Sequence, residues 1–339
     1  MRWLMRLLKQ LLLLLMLCAL LAGAAVYYYA YDDLHLPQSP VTFELRAGSS
    51  LRVTATQLAA VGIIGRPEPF ELLARLLGES ARLKAGNYEF SGSMTPLDLL
   101  QRMTRGDVTL IAITFVEGWT FEQMRKALRE NPKINGELAA LSEPEVLQKL
   151  GISAPAAEGW FFPDTYHFSD GASDLSILRR AHKLMRKHLE QEWARRAPNL
   201  PLQSPTEALI LASIVEKETG LANERGMVAA VFINRLRIGM RLQTDPTVIY
   251  GMGAAFDGNI RKRDLLTDTP YNTYTRTGLP PTPIAMPGKA ALLAAVQPAK
   301  TQALYFVAKG DGNSHFSATL DEHNRAVNRY QRSIQAPKD

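Results

Sequence analysis

The sequence predicts an α+β protein with an N-terminal transmembrane helix, a small α+β module and a larger mixed α+β domain. Three observations lead to this fold class. An unbroken apolar run covers residues 11–31, strand-like alternation and short helical segments interleave over residues 41–113, and helical segments with long irregular stretches fill residues 114–335. A chain of 339 residues has room for about two domains beside such a helix. Residues 1–10 form the predicted tail that precedes it.

The apolar run is long enough to cross a bilayer, which takes about 20 helical residues. Arg2, Arg6 and Lys9 precede it, and tyrosines at positions 27, 28, 29 and 31 lie at its far end, where an interfacial belt is expected. Basic residues on the near side place the N-terminus in the cytoplasm. We therefore predict a single-pass anchor, with most of the chain outside the cytoplasmic membrane.

The alternative for this segment is a cleaved signal peptide, with Ala22-Gly23-Ala24 as a small-residue cleavage site. The length of the run and its tyrosines favour the uncleaved anchor. Cys18 is the only cysteine, and Leu17 occupies the position before it, where a lipoprotein signal has a small residue. The portion outside the membrane therefore has no predicted disulfide and no cysteine-based metal site.

The charge is diffusely basic, and the sequence has no motif for nucleic acid or for a cofactor. The net charge is +6, with short basic clusters at residues 179–180, 195–196 and 261–263. A diffuse basic surface can favour an anionic polymer or a membrane, and can equally be ordinary solvated charge. Nucleic-acid motifs, phosphate loops, dinucleotide fingerprints and metal-ligand spacings are absent from the sequence. We predict no nucleic-acid partner, no cofactor and no metal, and we interpret His315 and His323 as core or surface residues.

The small module alternates between strands and short helices. Apolar alternation predicts strands at residues 41–45, 83–90 and 110–116, and helical spacing predicts helices at residues 51–60 and 69–77. A third helix begins after Thr95, with Pro96 in its first turn, and runs to residue 103.

The larger domain is predicted to be mainly helical. Its predicted helices are residues 120–129, 143–150, 173–196, 205–218, 223–237, 289–295 and 320–332, with a strand at 303–308. Residues 242–288 are rich in Pro, Gly, Thr and Tyr and are predicted to be irregular. Long irregular stretches in compact domains are usually functional, so this region is a candidate for ligand contacts.

The predicted helix 205–218 has clear end signals. Ser204 is a suitable N-cap, Pro205 fits the first helical position, and Glu207 completes a capping box. Gly220 is suited to the position just beyond the C-terminal end.

Two glutamates lie near the end of this otherwise apolar helix. At about 100° per residue, Glu216 and Glu218 point to nearly opposite faces, and Glu218 lies above Ile214 and Val215 on the more apolar stripe. Burial raises the pKa of a carboxyl group, and a carboxyl that is protonated near neutral pH is what a general acid needs. The alternative is that one glutamate is solvated and the other is paired with Lys217 or an arginine.

Three further segments are candidates for ligand contacts. The segment EGWFFPDTY at 158–166 combines aromatic and acidic side chains in a way that suits a saccharide groove, or simply packs as a core loop. Residues 242–247 form a polar turn that could line a cleft opposite Glu218, or in which Asp245 caps the following turn. The loop that begins at Tyr271 and continues into a proline-rich stretch presents hydrogen-bonding side chains, or is a stiff structural crossover.

Taken together and in order, these segments resemble the endolytic murein transglycosylase family (YceG-like), over nearly the whole chain. The motifs that carry the resemblance are VEGWT at 116–120, EGWFFPDTY at 158–166, SIVEKET at 213–219, VFINRL at 231–236, LQTDPT at 242–247, YNTY at 271–274 and HFSATLDEHN at 315–324. One departure is Thr282, which stands where a glycine is expected after two prolines.

The resemblance implies that Glu218 is the catalytic acid and that residues 41–113 form a LysM-like peptidoglycan-binding module. It implies cleavage of the β-1,4 bond between N-acetylmuramic acid and N-acetylglucosamine without water, leaving a 1,6-anhydro end. It also implies internal cutting of nascent strands, an inner-membrane anchor with a periplasmic catalytic domain, and peptidoglycan synthases (penicillin-binding proteins) as partners. Such an enzyme would terminate glycan elongation.

One carboxyl group would serve both proton transfers, so no second carboxylate is required. Glu216 is a candidate for tuning Glu218. The candidates for substrate positioning are Glu158, Asp164, Gln243, Asp245, Tyr271 and Asn272. Two alternatives stay open: a hydrolytic muramidase that activates water with a second carboxylate such as Glu158 or Asp245, and a non-enzymatic, membrane-anchored wall-binding scaffold.

Overall fold

The computed structural model describes residues 2–108 and 110–332, so the predicted end of the larger domain at 333–335 lies outside the described residues. The chain divides into two compact units. The first comprises Met1–Ile111 with His167–Asp170, and the second comprises Ala112–Tyr166 with Gly171–Asp339. Helices and strands are mixed along the chain, which confirms the α+β class.

The elements up to the end of the small module are α1 (Arg2–Tyr31), β1 (Val41–Leu45), α2 (Leu51–Ala60), α3 (Pro67–Leu76), β2 (Gly86–Phe90), α4 (Pro96–Arg105) and β3 (Ile111–Thr114). Then follow α5 (Phe121–Glu130), β4 (Ile134–Asn135), α6 (Glu143–Leu150), β5 (Thr165–Phe168), β6 (Ala172–Ser173), α7 (Asp174–Ala194), α8 (Pro205–Glu218) and α9 (Arg225–Arg237). The chain continues through α10 (Asp245–Met252), α11 (Lys262–Leu266), α12 (Lys289–Val296), β7 (Tyr305–Ala308), β8 (Ser314–Ser317) and α13 (Leu320–Val327).

The region 242–288, predicted to be irregular, contains the two short helices α10 and α11, so that prediction was wrong in part. Their eight and five residues are too few to display a helical period. The predicted closing helix at 320–332 is also two segments, because α13 ends at Val327 and Asn328–Arg332 forms a π-helical turn.

The first unit has a two-stranded antiparallel sheet with helices between and after its strands. Val41 pairs with Phe90 and Phe43 pairs with Tyr88. Alternate residues of β1 are buried, and they share one core with Phe70 of α3 and Leu99 of α4. The segment Lys9–Tyr31 of α1 has 23 residues and a mean hydropathy of 2.4, which makes it long and apolar enough to cross a membrane.

Helix α8 runs through the core of the second unit. Every residue from Ala208 to Val215 is buried, because α7, α9 and α12 all pack against it. A helix that is apolar on every side is stable only when it is surrounded in this way. The strands of this unit are short: β7 and β8 pair antiparallel, with Phe306 opposite Phe316, and β4 pairs with β6 in parallel.

The ends of α8 differ in detail from the sequence prediction. The Ser204 hydroxyl accepts the amide of Glu207 at 3.2 Å, as an N-cap does. The Glu207 carboxylate, however, accepts the amide of Gln203 at 2.6 Å, so the reciprocal capping box is not formed. At the other end Thr219 is extended (φ −145°, ψ 129°), and Gly220 is not among the left-handed glycines. The chain therefore leaves α8 sharply after Glu218.

Candidate active site

Glu218 is the last residue of α8, and its carboxylate accepts a hydrogen bond from the hydroxyl of Thr244. Burial raises the pKa of Glu218, and the nearby charge of Asp245 acts in the same direction. The Thr244 hydroxyl and the positive charge of Arg235 oppose this rise because they stabilise the ionised form. The net direction is upward, as the helical period predicted for the more apolar face.

Thr244 is held in place by two other buried threonines. Its amide donates to the hydroxyl of Thr273 at 3.1 Å, and its carbonyl accepts the hydroxyl of Thr247 at 2.8 Å. The hydroxyls of Thr247 and Thr273 lie 2.9 Å apart, which closes the network. All three threonines are buried, so the donor that faces Glu218 is fixed by hydrogen bonds rather than by solvent.

The backbone just before Thr244 takes an uncommon conformation. Gln243 has φ +50°, in the left-handed region that non-glycine residues rarely adopt, and its side chain is exposed. The backbone amide of Gln243 donates to the carbonyl of Thr273 at 3.2 Å. Strained residues of this kind cluster at functional sites, where the surroundings hold them in place. The bend lets the buried Leu242 and Thr244 flank an outward-facing glutamine.

Asp245 is exposed at the first position of α10 and accepts a hydrogen bond from the hydroxyl of Tyr274 at 2.5 Å. Tyr274 is positioned in turn by Asn272, whose side-chain oxygen accepts the Tyr274 amide at 2.8 Å. Burial, followed by this hydrogen bond to Asp245, raises the pKa of Tyr274 above its usual range. Tyr274 therefore stays a neutral donor to the carboxylate that lies near Glu218.

Arg235 of α9 is a buried cation beside this group, to which the sequence analysis assigned no role. Its Nε donates to the carbonyl of Leu304 at 2.6 Å and its Nη1 to that of Leu242 at 2.6 Å. The guanidinium lies 5.3 Å from the centre of the Tyr305 ring. The residue occurs in the motif VFINRL, but nothing in the sequence indicates that it reaches carbonyls far along the chain.

Glu158 lies in a different environment from Glu218. Its side chain is 4% exposed, and both carboxylate oxygens accept the amide of Phe121, the first residue of α5, at 3.0 and 3.2 Å. Burial raises the pKa of Glu158 to about 7, although the Phe121 amide and the hydroxyl of Tyr250 favour the ionised form. In this arrangement Glu158 caps α5 and presents little surface to a ligand.

The remaining predicted positioning residues are distributed unevenly. Asp164 is exposed, and its carboxylate accepts the amide of Thr165 at 2.7 Å. Asn272 is buried and donates to three backbone carbonyls, of which the closest is that of Thr267 at 2.7 Å, so its amide organises the loop. Thus Gln243 and Asp245 flank the Thr244 that bonds Glu218, and Asn272 supports Tyr274.

Tyr271 connects this loop to the environment of Glu158. Its ring packs against the ring of Tyr250 at 4.9 Å, and its hydroxyl lies 2.8 Å from that of Thr282. The Thr282 hydroxyl also bonds the carbonyl of Pro283 at 3.0 Å. The residue that departs from the expected glycine therefore makes a buried polar contact with a predicted site residue.

Glu216 faces away from Glu218 and joins α8 to two neighbouring segments. Its carboxylate accepts the amide of Gly288, the N-cap residue of α12, at 2.9 Å and lies 3.6 Å from the guanidinium of Arg225. Burial raises its pKa, and the charge of Glu117 adds to this effect. The arginine partner matches the alternative considered for this pair, but Glu218 is not the freely solvated member that the alternative requires.

Within residues 2–108 and 110–332, no group of three or more His, Cys, Asp or Glu side chains could hold a metal ion. His323 stacks on the ring of Tyr305 at 5.2 Å, and His315 packs against Tyr330 at 5.7 Å. Burial lowers the pKa of His323, and the charge of Arg235 acts in the same direction. His323 therefore belongs to the aromatic stack that covers Arg235.

Comparisons with known proteins agree on one family. The model of the YceG-like family matches residues 43–329. The endolytic murein transglycosylase of Bacillus subtilis is 32% identical over 86% of this chain and 85% of its own length. That of Streptococcus pneumoniae strain D39 is 27% identical over 85% of this chain, which spans 58% of that longer protein. A crystal structure of a YceG-like protein from Listeria monocytogenes is 30% identical, covers 85% of this chain and 98% of its own, and has a TM-score of 0.53.

Proposed function

We propose, since the chain belongs to the YceG-like family, that it is a lytic transglycosylase acting on peptidoglycan and that Glu218 is its catalytic acid. Two relatives named endolytic murein transglycosylase support the activity. The observation that carries the residue assignment is the carboxyl group at the end of α8, whose pKa is raised by burial while a fixed hydroxyl donates to it.

The proposed reaction has two proton transfers through one carboxyl group. Protonated Glu218 gives its proton to the glycosidic oxygen of the β-1,4 bond between N-acetylmuramic acid and N-acetylglucosamine, and that bond breaks to give an oxocarbenium-like state. The Glu218 carboxylate then takes the proton of the C6 hydroxyl on the same muramic acid, whose oxygen bonds to C1. The products are a free N-acetylglucosamine hydroxyl and a 1,6-anhydro end, and Glu218 is again protonated.

The surroundings of Glu218 suit both roles. Burial and the charge of Asp245 favour the protonated form that starts the reaction. The Thr244 hydroxyl and Arg235 stabilise the carboxylate that exists between the two transfers. A group that acts as acid and then as base works best when neither form is strongly favoured, and opposing influences of this kind produce that balance.

Hydrolysis by a second carboxylate is the main alternative, and the two candidates for that role differ. Glu158 has both oxygens on the Phe121 amide and is nearly inaccessible, which argues against activation of water. Asp245 is exposed and lies near enough to raise the pKa of Glu218, so it is the carboxylate that a hydrolytic mechanism would use. Its engagement by Tyr274 favours a positioning role.

The N-terminal helix supports a location for this activity. We infer that α1 anchors the chain in the bacterial inner membrane with the N-terminus in the cytoplasm and the remainder in the periplasm, because basic residues precede the apolar segment. An anchored enzyme would meet nascent strands as synthases release them, and internal cuts would end their elongation. The strand–helix–helix–strand order of residues 41–90 is consistent with a LysM-like peptidoglycan-binding module.

Product masses distinguish the proposed reaction from its alternatives. The full chain in detergent, its Glu218→Gln variant and a matched Glu190→Gln variant are incubated with purified glycan strands and analysed by mass spectrometry. Glu190 is an exposed glutamate of α7, so its substitution repeats the chemical change away from the site. We expect fragments one water lighter than hydrolytic products from the wild type and Glu190→Gln, and none from Glu218→Gln.

Each other outcome has a defined meaning. Hydrolytic masses from the wild type that are lost in an Asp245→Asn variant would replace the transglycosylase by a muramidase. Retained glycan binding without any cleavage by the wild type would favour a membrane-anchored scaffold. Unchanged anhydro products from Glu218→Gln would refute the assignment of the acid.

A further inference from the structure

The last turns of α1 are built into the core of the first unit. Val26 and Tyr29 pack against that core, and Ala30, only 5% exposed, belongs to it. Positions 26, 29 and 30 share one face of a helix. Tyr27, Tyr28 and Tyr31 lie on the remaining surface and are exposed. The apolar helix therefore ends with one face against protein and the other face free.

The connection that follows α1 is also fixed to the unit. The amide of Leu34 donates to the carbonyl of Met94 at 2.8 Å, and the Asp33 carboxylate accepts the hydroxyl of Ser93 at 2.7 Å. Helix α1 also contacts both α3 and α4. The rest of the first unit therefore follows the apolar helix without a free linker.

Counting along α1 places this contact at the edge of the hydrocarbon. A bilayer core of about 30 Å takes about 20 helical residues, so a span that begins at Leu11, just after Lys9, ends at Ala30. Val26 is four residues before that end, about 6 Å inside it. The part of the first unit that packs against Val26 therefore lies at the level of the membrane boundary.

Helix α3, which contacts α1, carries exposed apolar side chains. Leu72 is 48% exposed and Leu76 is 64% exposed, one helical turn apart on the same face, and Leu77 follows at 50%. Because α3 has 10 residues, its contact with α1 leaves these leucines no more than about 15 Å along α3 from that contact. Adjacent exposed leucines on a helix that packs against a membrane-spanning helix fit a lipid partner.

We propose that the first unit is seated on the lipid bilayer, with Leu72 and Leu76 of α3, and Leu77 just after it, inserted at the boundary between headgroups and acyl chains beside α1. This inference rests on the proposed membrane anchor. Helix α3 packs against α1, so the bilayer that α1 crosses is also the partner expected for the exposed leucines. The unit is thereby held at the membrane surface.

Depth-dependent quenching tests the seat in the full chain. Cys18, the only cysteine, is replaced by serine, and single cysteines are introduced at Leu14, Leu76 or Thr42 and labelled with a polarity-sensitive fluorophore. The proteins are reconstituted into phosphatidylglycerol-containing vesicles with nitroxide lipids spin-labelled either near the headgroup or deep in the acyl chain. Leu14 reports the span, and Thr42 is an exposed residue on the solvent side of β1.

We expect the label at position 14 to be quenched by the deep nitroxide. The label at 76 should have blue-shifted emission and be quenched by the shallow one, and the label at 42 should be affected by neither. All three side chains are exposed, so labelling should preserve the fold, which thermal melts check. If the label at 76 shows no blue shift and no quenching while the label at 14 is quenched, the insertion of the leucines is refuted and the membrane anchor stands. Absence of quenching at position 14 would overturn the anchor, and the seat with it.

Discussion

The hydroxyl of Thr244 is the one neutral hydrogen-bond donor to the Glu218 carboxylate among the contacts described, and its removal has a calculable effect. Thr244→Val keeps the shape of the side chain and removes the donor. A hydrogen bond to a charged group contributes about 1.5–3 kcal/mol. Because the variant loses this stabilisation of the ionised form, the pKa of Glu218 should rise.

The sign follows from which form the hydroxyl stabilises. Thr244 donates to the ionised carboxylate and lowers its pKa, so the variant holds the proton more tightly. In a profile of kcat/KM against pH, activity falls above the pKa of the essential acid. The alkaline limb should therefore move upward, while the maximal rate falls because the carboxylate between the two proton transfers is less stabilised.

The assay measures release of anhydro-ended fragments from purified glycan strands between pH 4 and 9. Thr244→Ser keeps a hydroxyl at the same position and should retain the wild-type limb, which separates loss of the donor from general damage. An alkaline limb that stays in place or moves downward in Thr244→Val, with thermal stability unchanged, would refute the assignment of Glu218 as the titrating acid.

Three other variants test the surroundings of Glu218 and of Glu158. Asp245→Asn removes a charge that raises the pKa of Glu218, so the alkaline limb of the kcat/KM profile should move downward, opposite to Thr244→Val. An upward movement in the same assay would contradict this charge effect. The pKa of Glu158 is raised from 4.5 to about 7, so the free energy of unfolding falls by about 3 kcal/mol as the pH rises from 4.5 to 7. Glu158→Gln lacks this titration, so in urea melts its stability relative to wild type should be higher at pH 8 than at pH 5. An equal difference at both pH values would refute this effect. A lysine at position 235 cannot bond both carbonyls that the guanidinium bonds, so Arg235→Lys should lower the free energy of unfolding by about 1–3 kcal/mol. The exposed Arg237→Lys is the control and should have little effect. Equal losses in urea melts would show that the bonds from Arg235 to the two carbonyls are unimportant for stability.

Local patterns in the sequence predicted the frame of the site. The helical period separated Glu216 from Glu218, and the apolar stripe predicted the direction of the pKa shift that burial produces. Most of the longer helices were predicted to within a few residues, because their period and caps are local signals. The helices α10 and α11 were missed because eight and five residues are too few to display a helical period.

The contacts that complete the site depend on pairs of residues far apart in the chain. Thr244 and Thr273 are 29 positions apart, and Arg235 reaches Leu304 across 69. Neither distance leaves a periodic signal in the sequence. Glu158 was predicted to bind substrate because aromatic and acidic residues surround it, but its carboxylate meets the N-terminus of α5, which the sequence places 37 positions away. Pattern reasoning identified the residue types, and the fold decided which partner each one found.

The burial of α8 on every side has a consequence for engineering the enzyme. Because α8 is fixed by its neighbours along residues 208–215, a library that varies those residues would mostly yield unfolded chains. The polar turn at 242–247 and the loop at 271–274 hold the groups around the carboxylate on short, separate segments. Directed evolution toward other polysaccharides should therefore randomise these two segments, starting with the exposed Gln243, and leave the helix that carries Glu218 unchanged.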